Sequence, residues 1–219
     1  MKGLAAHTAK IIEQVSMLEC IKPYYLVGGT ALSLQLHHRL SEDFDFMRWP
    51  SRKGDKMEVD WVGIEKVLKT IGELQKTEIM DFEHVEFIVS DVKFSFYGCD
   101  KLSPIRNAVS FLNHIVLADI DSIAIMKMEV LLRRSKFRDY YDLYCIFKDR
   151  SNADIKSLID AALRYSEHRL RTKNLISILT SGSRFANDVG FEQLAPIYNV
   201  SVDEIVDFME GRLKEIYNK

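Results

Sequence analysis

The sequence predicts an α+β fold, in which a small mixed β-sheet with flanking helices is followed by a helical C-terminal part. Segments with alternating apolar residues, the pattern of half-buried strands, are confined to the first 118 of the 219 residues. Apolar residues at helical spacing dominate the remainder. Only ten Gly and four Pro occur in the chain, which favours helices over a many-turned β-sandwich.

The first elements alternate between helix and strand. A helix is expected over about residues 3–20, where apolar residues recur at helical spacing. The apolar run over residues 24–27 predicts a strand, and residues 30–38 predict a short, largely buried helix. Residues 48–60 are polar and predict a loop. A helix with one apolar stripe is expected over about residues 59–74.

A β-hairpin is expected next, within residues 77–97. Two alternating segments are separated by Ser90-Asp91, a plausible hairpin turn. The apolar positions of these segments are Val85, Phe87, Val89, Val92, Phe94 and Phe96.

The remaining pattern sets the expected domain organisation. Residues 113–118 predict another short strand, after which Asp119 or Asp121 caps a helix that runs to about residue 134. Four or five helices follow from Phe137 onward. We therefore expect an α/β core over residues 1–118 and a helical part, packed on that core, over residues 119–219.

The most informative segment joins a Gly-Gly turn to a pair of aspartates. Gly28 and Gly29 follow the first strand and open the short helix, and Asp43 and Asp45 come after it. Because side chains alternate along a strand, the two aspartates share one face. Two carboxylates suit a Mg²⁺ ion that completes its coordination with substrate phosphates, and glycine amides at a helix N-terminus bind phosphate. The combination predicts metal-dependent nucleotidyl transfer.

Each half of this segment also has a structural explanation. A Gly-Gly pair is more often a tight turn, and Asp-x-Asp is more often a solvated loop. Joined by a short helix, the two halves are far more specific. Asp43 and Asp45 are therefore the predicted metal ligands, for Mg²⁺ or Mn²⁺.

The neighbouring polar residues have predicted roles too. Gly28, Gly29, Thr30 and Ser41 form the predicted nucleotide-binding set, with an NTP as the substrate. Thr30 either contacts the ligand or caps the helix, and Ser41 orients the turn that carries Asp43. Arg39 reaches either a phosphate or Asp43, and a structural ion pair is the stronger interpretation.

Net charge, cysteine content and apolar runs argue against several classes of protein. The net charge is −2, which argues against a nucleic-acid-binding protein with an overall basic surface, although cations cluster within residues 127–138 and 164–173. Three cysteines without a Cys-x-x-Cys pair argue against a disulfide framework or a zinc site. The chain shows neither a signal-peptide pattern nor an apolar run long enough to cross a bilayer. We expect a cytoplasmic protein with no membrane partner.

Two blocks resemble the nucleotidyltransferase toxins of the AbiEii/AbiGii type, within the polymerase-beta-like superfamily. The first block runs from Gly28 to Phe46. The second combines Asp121-Ser122-Ile123-Ala124-Ile125-Met126-Lys127 with Arg138-Asp139-Tyr140-Tyr141-Asp142-Leu143-Tyr144. The resemblance spans residues 23–147 and implies a nucleotidyltransferase core.

The resemblance also adds two residues to the predicted site. It implies that Lys127 contacts the nucleotide phosphates and that Asp142 belongs to the active site, whereas Asp139 is structural. On spacing alone, Lys127 could instead extend its ammonium to solvent. Arg138 is expected to pair with one of the two aspartates.

One departure from the superfamily pattern leaves the activity open. Ser95 stands where a third carboxylate usually acts as the general base, and a hydroxyl cannot replace it. Glu86 on the preceding strand has the parity to face the same way.

Three functions remain possible at this point. The first is an enzyme that moves an NMP to an acceptor hydroxyl, as a toxin of a toxin–antitoxin or phage-defence pair, with tRNA as the acceptor and an antitoxin as partner. The second is a nucleotide- or partner-binding module with little turnover. The third is a transferase acting on a small aminoglycoside-like molecule.

Overall fold

The chain forms two compact units in this computed structural model, which describes residues 1–167, 171–185 and 188–217. The first unit comprises Met1–Asp119 and the second Ile120–Lys219. His168 and Arg169, from the second cationic cluster of the sequence, lie outside the described residues. The predicted α+β class, with strands in the first unit and helices in the second, is confirmed.

The first unit, all of which is described, contains one seven-stranded mixed sheet and three α-helices. The helices are α1 (Ala6–Ser16), α2 (Gly28–Leu36) and α3 (Trp61–Leu68). The strands are β1 (Tyr25–Val27), β2 (Phe44–Arg48), β3 (Leu74–Asp81), β4 (His84–Val89), β5 (Val92–Gly98), β6 (Val109–Leu112) and β7 (Ile115–Leu117). Their order in the sheet is β3-β4-β5-β2-β1-β7-β6.

Register in the sheet follows the apolar alternation. Strand β2 pairs with β1 in antiparallel and with β5 in parallel orientation, and β1 pairs with β7 in parallel orientation. The predicted apolar face of the hairpin is fully buried at Val85, Phe87, Val89, Val92, Phe94 and Phe96. At the predicted turn, Ser90 and Asp91 both have positive φ, which matches the twist of the flanking strands.

Several predicted boundaries are wrong by a few residues. Helix α1 begins only at Ala6, because the preceding chain pairs with Ser41. Helix α2 begins at Gly28 rather than at residue 30, so both glycines lie in its first turn. Helix α3 ends at Leu68.

The two edge strands of the sheet do not follow the predicted pattern. Strand β6 was not predicted, and β3, which begins at Leu74, was not distinguished from the two hairpin strands expected within residues 77–97. Both lie at the edges of the sheet, where exposed side chains on either face remove the alternation that marks half-buried strands.

All regular secondary structure among the described residues of the second unit is helical. Its α-helices are α4 (Ile120–Val130), α5 (Phe137–Asp149), α6 (Asn152–Tyr165), α7 (Thr172–Leu179) and α8 (Val202–Tyr217). Helix α4 ends at Val130, before its predicted end at about residue 134. It is buried on nearly all sides and contacts α5 and α6. Among the described residues, none of the helices has the length and apolar character needed to cross a membrane.

Candidate active site

Strand β2 divides its side chains between the two faces of the sheet, of which one lines the core. Phe44 and Phe46 are 0% and 1% exposed and pack against Phe94 and Phe96. Asp43, directly before the strand, and Asp45 within it are only half-buried, as expected for residues of opposite parity. The two carboxylates therefore share the face that the sequence predicts.

Asp45 lies beside the first residue of helix α2. In the sheet, Asp45 is opposite Val27, which immediately precedes Gly28. Gly28 has φ of +68°, and a Cβ added to it would lie 2.8 Å from Asp45 Oδ2. Only glycine suits both this backbone conformation and this close approach. The first turn of α2 is thereby brought against the aspartate pair.

Gly29 gives space to a buried arginine. A Cβ at this position would lie 2.5 Å from Arg39 Nη2 and 3.3 Å from Ser41 Oγ. Arg39 is 4% exposed, and its Nη1 donates to the carbonyl oxygen of Leu40 over 2.8 Å. A guanidinium thus lies against the N-terminal turn of α2, where a phosphate would bind.

Thr30 and Ser41 hold the turn that carries Asp43. The Thr30 hydroxyl bonds the Ser41 hydroxyl at 2.8 Å and donates to the main-chain carbonyl of Asp43. Thr30 is 1% exposed and does not cap α2, whose N-cap is Val27, so the capping interpretation is wrong. It is Thr30, rather than Ser41, that bonds the backbone of Asp43.

The N-terminal segment supports the same turn, which the sequence did not indicate. The Ser41 amide donates to the carbonyl of Gly3 and the Ala5 amide donates to the carbonyl of Ser41, both over 2.9 Å. Thr8 of α1 is fully buried, and its hydroxyl donates to the carbonyl of Glu42 over 2.6 Å. A threonine inside an amphipathic helix gives no signal of such a long-range bond.

A polar row continues from Asp45 across the sheet. Ser95 is opposite Asp45 on β5, and Glu86 is opposite Ser95 on β4. Ser95 is fully buried, and its hydroxyl lies 3.4 Å from Glu86 Oε1. His84 Nε2 and Lys93 Nζ lie 3.3 and 3.5 Å from the same oxygen. Glu86 therefore faces the same side as Ser95, as its parity predicts.

The donor set at this face fits a hard divalent cation. Asp43 and Asp45 offer only carboxylate oxygens, which Mg²⁺ and Mn²⁺ prefer, and Gly28 leaves the space beside Asp45 Oδ2 open. Within the described part of the chain, no group of three or more His, Cys, Asp and Glu side chains could hold a metal. A cation here would take its other ligands from substrate phosphates and water.

In the second unit, Lys127 of α4 is buried between two carboxylates of α5. Its Nζ lies 2.8 Å from Asp139 Oδ1 and 2.6 Å from Asp142 Oδ2. The side chains of Lys127, Asp139 and Asp142 are 7%, 1% and 0% exposed. The alternative that Lys127 reaches solvent is wrong, because the ammonium points inward to this buried pair.

Arginines complete this cluster, in a different arrangement from the predicted one. Arg134 donates from Nε and Nη2 to Asp139. Burial alone would raise the pKa of Asp139, but the charges of Lys127 and Arg134 outweigh it and hold that pKa below its ordinary value. Arg138, expected to pair with Asp139 or Asp142, instead forms a bidentate pair with Asp188. The Arg138 guanidinium therefore points toward the segment that follows α7.

Known proteins resemble this chain over nearly its whole length. The profile of the family described as "Nucleotidyl transferase AbiEii toxin, Type IV TA system" matches residues 19–216. An uncharacterised protein of Aquifex aeolicus is 24% identical over 219 residues, which cover 98% of each chain.

Solved structures share the fold at low identity. JHP933 from Helicobacter pylori has a TM-score of 0.54 and 19% identity, with 98% of this chain and 94% of the other covered. MenT4, a nucleotidyltransferase toxin from Mycobacterium tuberculosis, has a TM-score of 0.55 and 17% identity, with 95% and 81% covered. At such identities the likeness shows the fold alone.

Proposed function

The chain belongs to the AbiEii family of nucleotidyl transferase toxins, and we propose that it transfers an NMP from an NTP to the 3′ hydroxyl of tRNA. The family is described as part of a type IV toxin–antitoxin system, which implies an NTP and an antitoxin as partners. The acceptor, the metal and the site residues are the parts that we add to this family assignment.

The observation that carries the proposal is the close approach between the first turn of α2 and Asp45. Amide groups at a helix N-terminus attract phosphate, and Gly28 lies so near the aspartate that a Cβ on it would be 2.8 Å from Asp45 Oδ2. The phosphates of a bound nucleotide and the proposed metal-binding carboxylates would then lie next to each other. Nucleotidyl transfer needs this arrangement.

We assign roles to the residues of the first unit on this basis. Asp43 and Asp45 hold Mg²⁺ or Mn²⁺, which when bound neutralises charge on the triphosphate. The amides of Gly28 and Gly29 bind phosphate oxygens, and Arg39 adds positive charge behind them. Thr30 and Ser41 keep Asp43 in place through the bonds of the turn. The acceptor hydroxyl loses its proton to water as its oxygen bonds the α-phosphorus, and pyrophosphate leaves with the electron pair of the broken P–O bond.

Lys127 and Asp142 are proposed as further catalytic residues, on the strength of the family motif. Both are buried and charged, and such groups cluster at functional sites. Lys127 is assigned to the nucleotide phosphates, with Asp142 as its partner. We also propose that residues 1–118 form the catalytic core and that residues 119–219 form a helical part with its own role in substrate handling.

A binding module with little turnover is the second candidate, because Ser95 is opposite Asp45 where a third carboxylate would be expected. A buried hydroxyl there supplies neither a base nor a strong metal ligand. A small aminoglycoside-like acceptor remains a third possibility that transfer assays distinguish directly.

The test is incubation of the protein with each α-labelled NTP, Mg²⁺ and total tRNA. We expect label in tRNA and stoichiometric release of pyrophosphate with at least one NTP. NTP binding without pyrophosphate release would support the binding module instead. In a parallel reaction with an aminoglycoside in place of tRNA, pyrophosphate release and label on that molecule, with none on tRNA in the first reaction, would support the small-molecule transferase.

A further inference from the structure

The connection between α4 and α5 gathers positive charge on the surface of the second unit. Arg133, Arg134 and Lys136 lie in this loop and are exposed. Arg138 follows in the first turn of α5, and Arg184 donates from Nη2 to the carbonyl of Leu131 over 3.3 Å. We call these five residues the cationic rim. In a chain of net charge −2, five cations on one loop and its neighbours are a marked local excess.

Three carboxylates that neutralise part of this charge lie on the inner side. Glu129 pairs with Arg133, Asp139 with Arg134 and Asp188 with Arg138. The side chains of Glu129, Asp139 and Asp188 are only 7%, 1% and 5% exposed, whereas those of Arg133 and Arg134 are 63% and 52% exposed. The buried carboxylates therefore fix the guanidinium groups, and the surface presented to solvent is cationic.

The cationic rim is tied directly to the Lys127 cluster. Arg134 and Lys127 bond the same carboxylate, that of Asp139. The loop also joins the two helices that carry Lys127 and Asp142, so a molecule held by the rim lies next to these proposed catalytic residues. An acceptor has to come close to the nucleotide that Lys127 is proposed to hold, whereas a regulatory protein has no such requirement.

We propose that the cationic rim binds the phosphate backbone of an RNA acceptor. Four of its five residues are arginines, whose planar guanidinium groups match phosphate oxygens in bidentate geometry. Several cations along a surface suit a polyanion with repeated phosphates, and a small hydroxylated acceptor would need no such row. This inference rests on the proposed transfer to tRNA and assigns the surface that holds it.

The test is binding of fluorescently labelled total tRNA, measured by anisotropy without NTP at several salt concentrations. The variant Arg133→Gln/Lys136→Gln removes two rim charges and leaves the Arg134–Asp139 bond in place. The matched control is Lys156→Gln/Lys214→Gln in the same unit. Lys214 is 66% exposed and pairs with Glu210 four residues earlier, just as Arg133 is 63% exposed and pairs with Glu129.

We expect the rim variant to bind tRNA roughly tenfold more weakly at low salt. Its slope of log affinity against log salt should fall by about 1.4 to 2, because two phosphate contacts are lost. The control should behave like the unaltered protein. Lys136→Glu, a single change at an exposed position, should weaken binding in the same direction and guards against a folding defect in the double variant.

Equal affinity and slope for the rim variant and the control would overturn the proposal. So would a rim variant that binds tRNA normally but loses affinity for the cognate antitoxin, since that result would assign the rim to a protein partner. Because binding is measured without NTP, a negative result in the binding test does not bear on the label-transfer test of the proposed function. Conversely, rim-dependent binding without any label transfer would reject the proposed function alone.

Discussion

Gly28 and Asp45 approach so closely that a Cβ on Gly28 would lie 2.8 Å from Asp45 Oδ2. The contact joins the start of α2 to the strand that carries the aspartates. It brings together the glycine pair and the Asp-x-Asp pattern, which are separate segments of the sequence. Its consequence is that space beside the Asp45 carboxylate depends on the absence of a side chain at position 28.

Gly28→Ala should therefore reduce nucleotide transfer by more than its effect on stability explains. A side chain at φ of +68° is strained by about 1 kcal/mol, and here it also meets the Asp45 carboxylate. Gly54→Ala is the matched control, because Gly54 has φ of +89° and nothing lies within 4 Å of an added Cβ. Thermal melts and transfer rates of both variants give the comparison. Equal losses of activity would show that only backbone strain matters.

Lys127→Ala should destabilise the protein and weaken NTP binding. Removing the ammonium leaves Asp139 and Asp142 buried without their shared cation, which costs about 3–5 kcal/mol when one partner of a buried pair is lost. Urea unfolding measures the first effect, and titration with NTP at fixed Mg²⁺ measures the second. Lys148→Ala, at an exposed position of α5, serves as the control. Unchanged NTP affinity in folded Lys127→Ala would limit Lys127 to a structural role.

The acid stability of the protein should depend on Asp139. Its pKa in the folded state lies below the ordinary 3.8, so its ion pairs stabilise the fold above that value and are lost as the pH falls through the lower, folded-state pKa. Asp139→Asn should lower stability at pH 7 and flatten the loss of stability below about pH 4. Asp203→Asn, exposed on α8, is the control. The free energy of unfolding is measured with urea from about pH 2.5 to 7. The account would be contradicted if Asp139→Asn lost stability below about pH 4 as steeply as the control does.

Ser95→Asp should raise transfer if the missing third carboxylate limits the rate. A positioned general base contributes about 10²–10⁴-fold, so even imperfect placement is measurable. The new carboxylate would face Asp45 and Glu86, so the gain should require Mg²⁺ and the metal-free variant should be less stable. Ser110→Asp, on the exposed edge strand β6, is the control. No gain at saturating Mg²⁺ in an active protein would direct attention to Glu86 or Asp142 as the base.

The sequence predicted those features that follow from local pattern. The alternation of side chains along β2 placed Asp43 and Asp45 on one face and Phe44 and Phe46 on the other. The same kind of pattern located the β4–β5 hairpin. Edge strand β6 escaped because its exposed side chains carry no periodic signal. A strand without such a pattern cannot be recognised from its own segment of the sequence alone.

Contacts between distant segments could not be predicted in the same way. The bond from Thr8 to Glu42 spans 34 residues, and the pairing of Arg138 with Asp188 spans 50. Spacing within a helix made Asp139 or Asp142 the natural partner of Arg138, but only the tertiary fold shows which carboxylate is near. Likewise, burial of Lys127 depends on the position of α5, which the sequence of α4 does not specify.

The central claim is that Asp43 and Asp45 support metal-dependent nucleotide transfer, and the double variant Asp43→Asn/Asp45→Asn tests it most directly. Both side chains lie outside the core, so the fold should survive, and Asp203→Asn/Asp207→Asn removes the same two charges from the exposed face of α8. Transfer of label from NTP to tRNA should disappear in the first variant and persist in the control, with unchanged melting curves in both. Full transfer by a folded Asp43→Asn/Asp45→Asn protein would contradict the account.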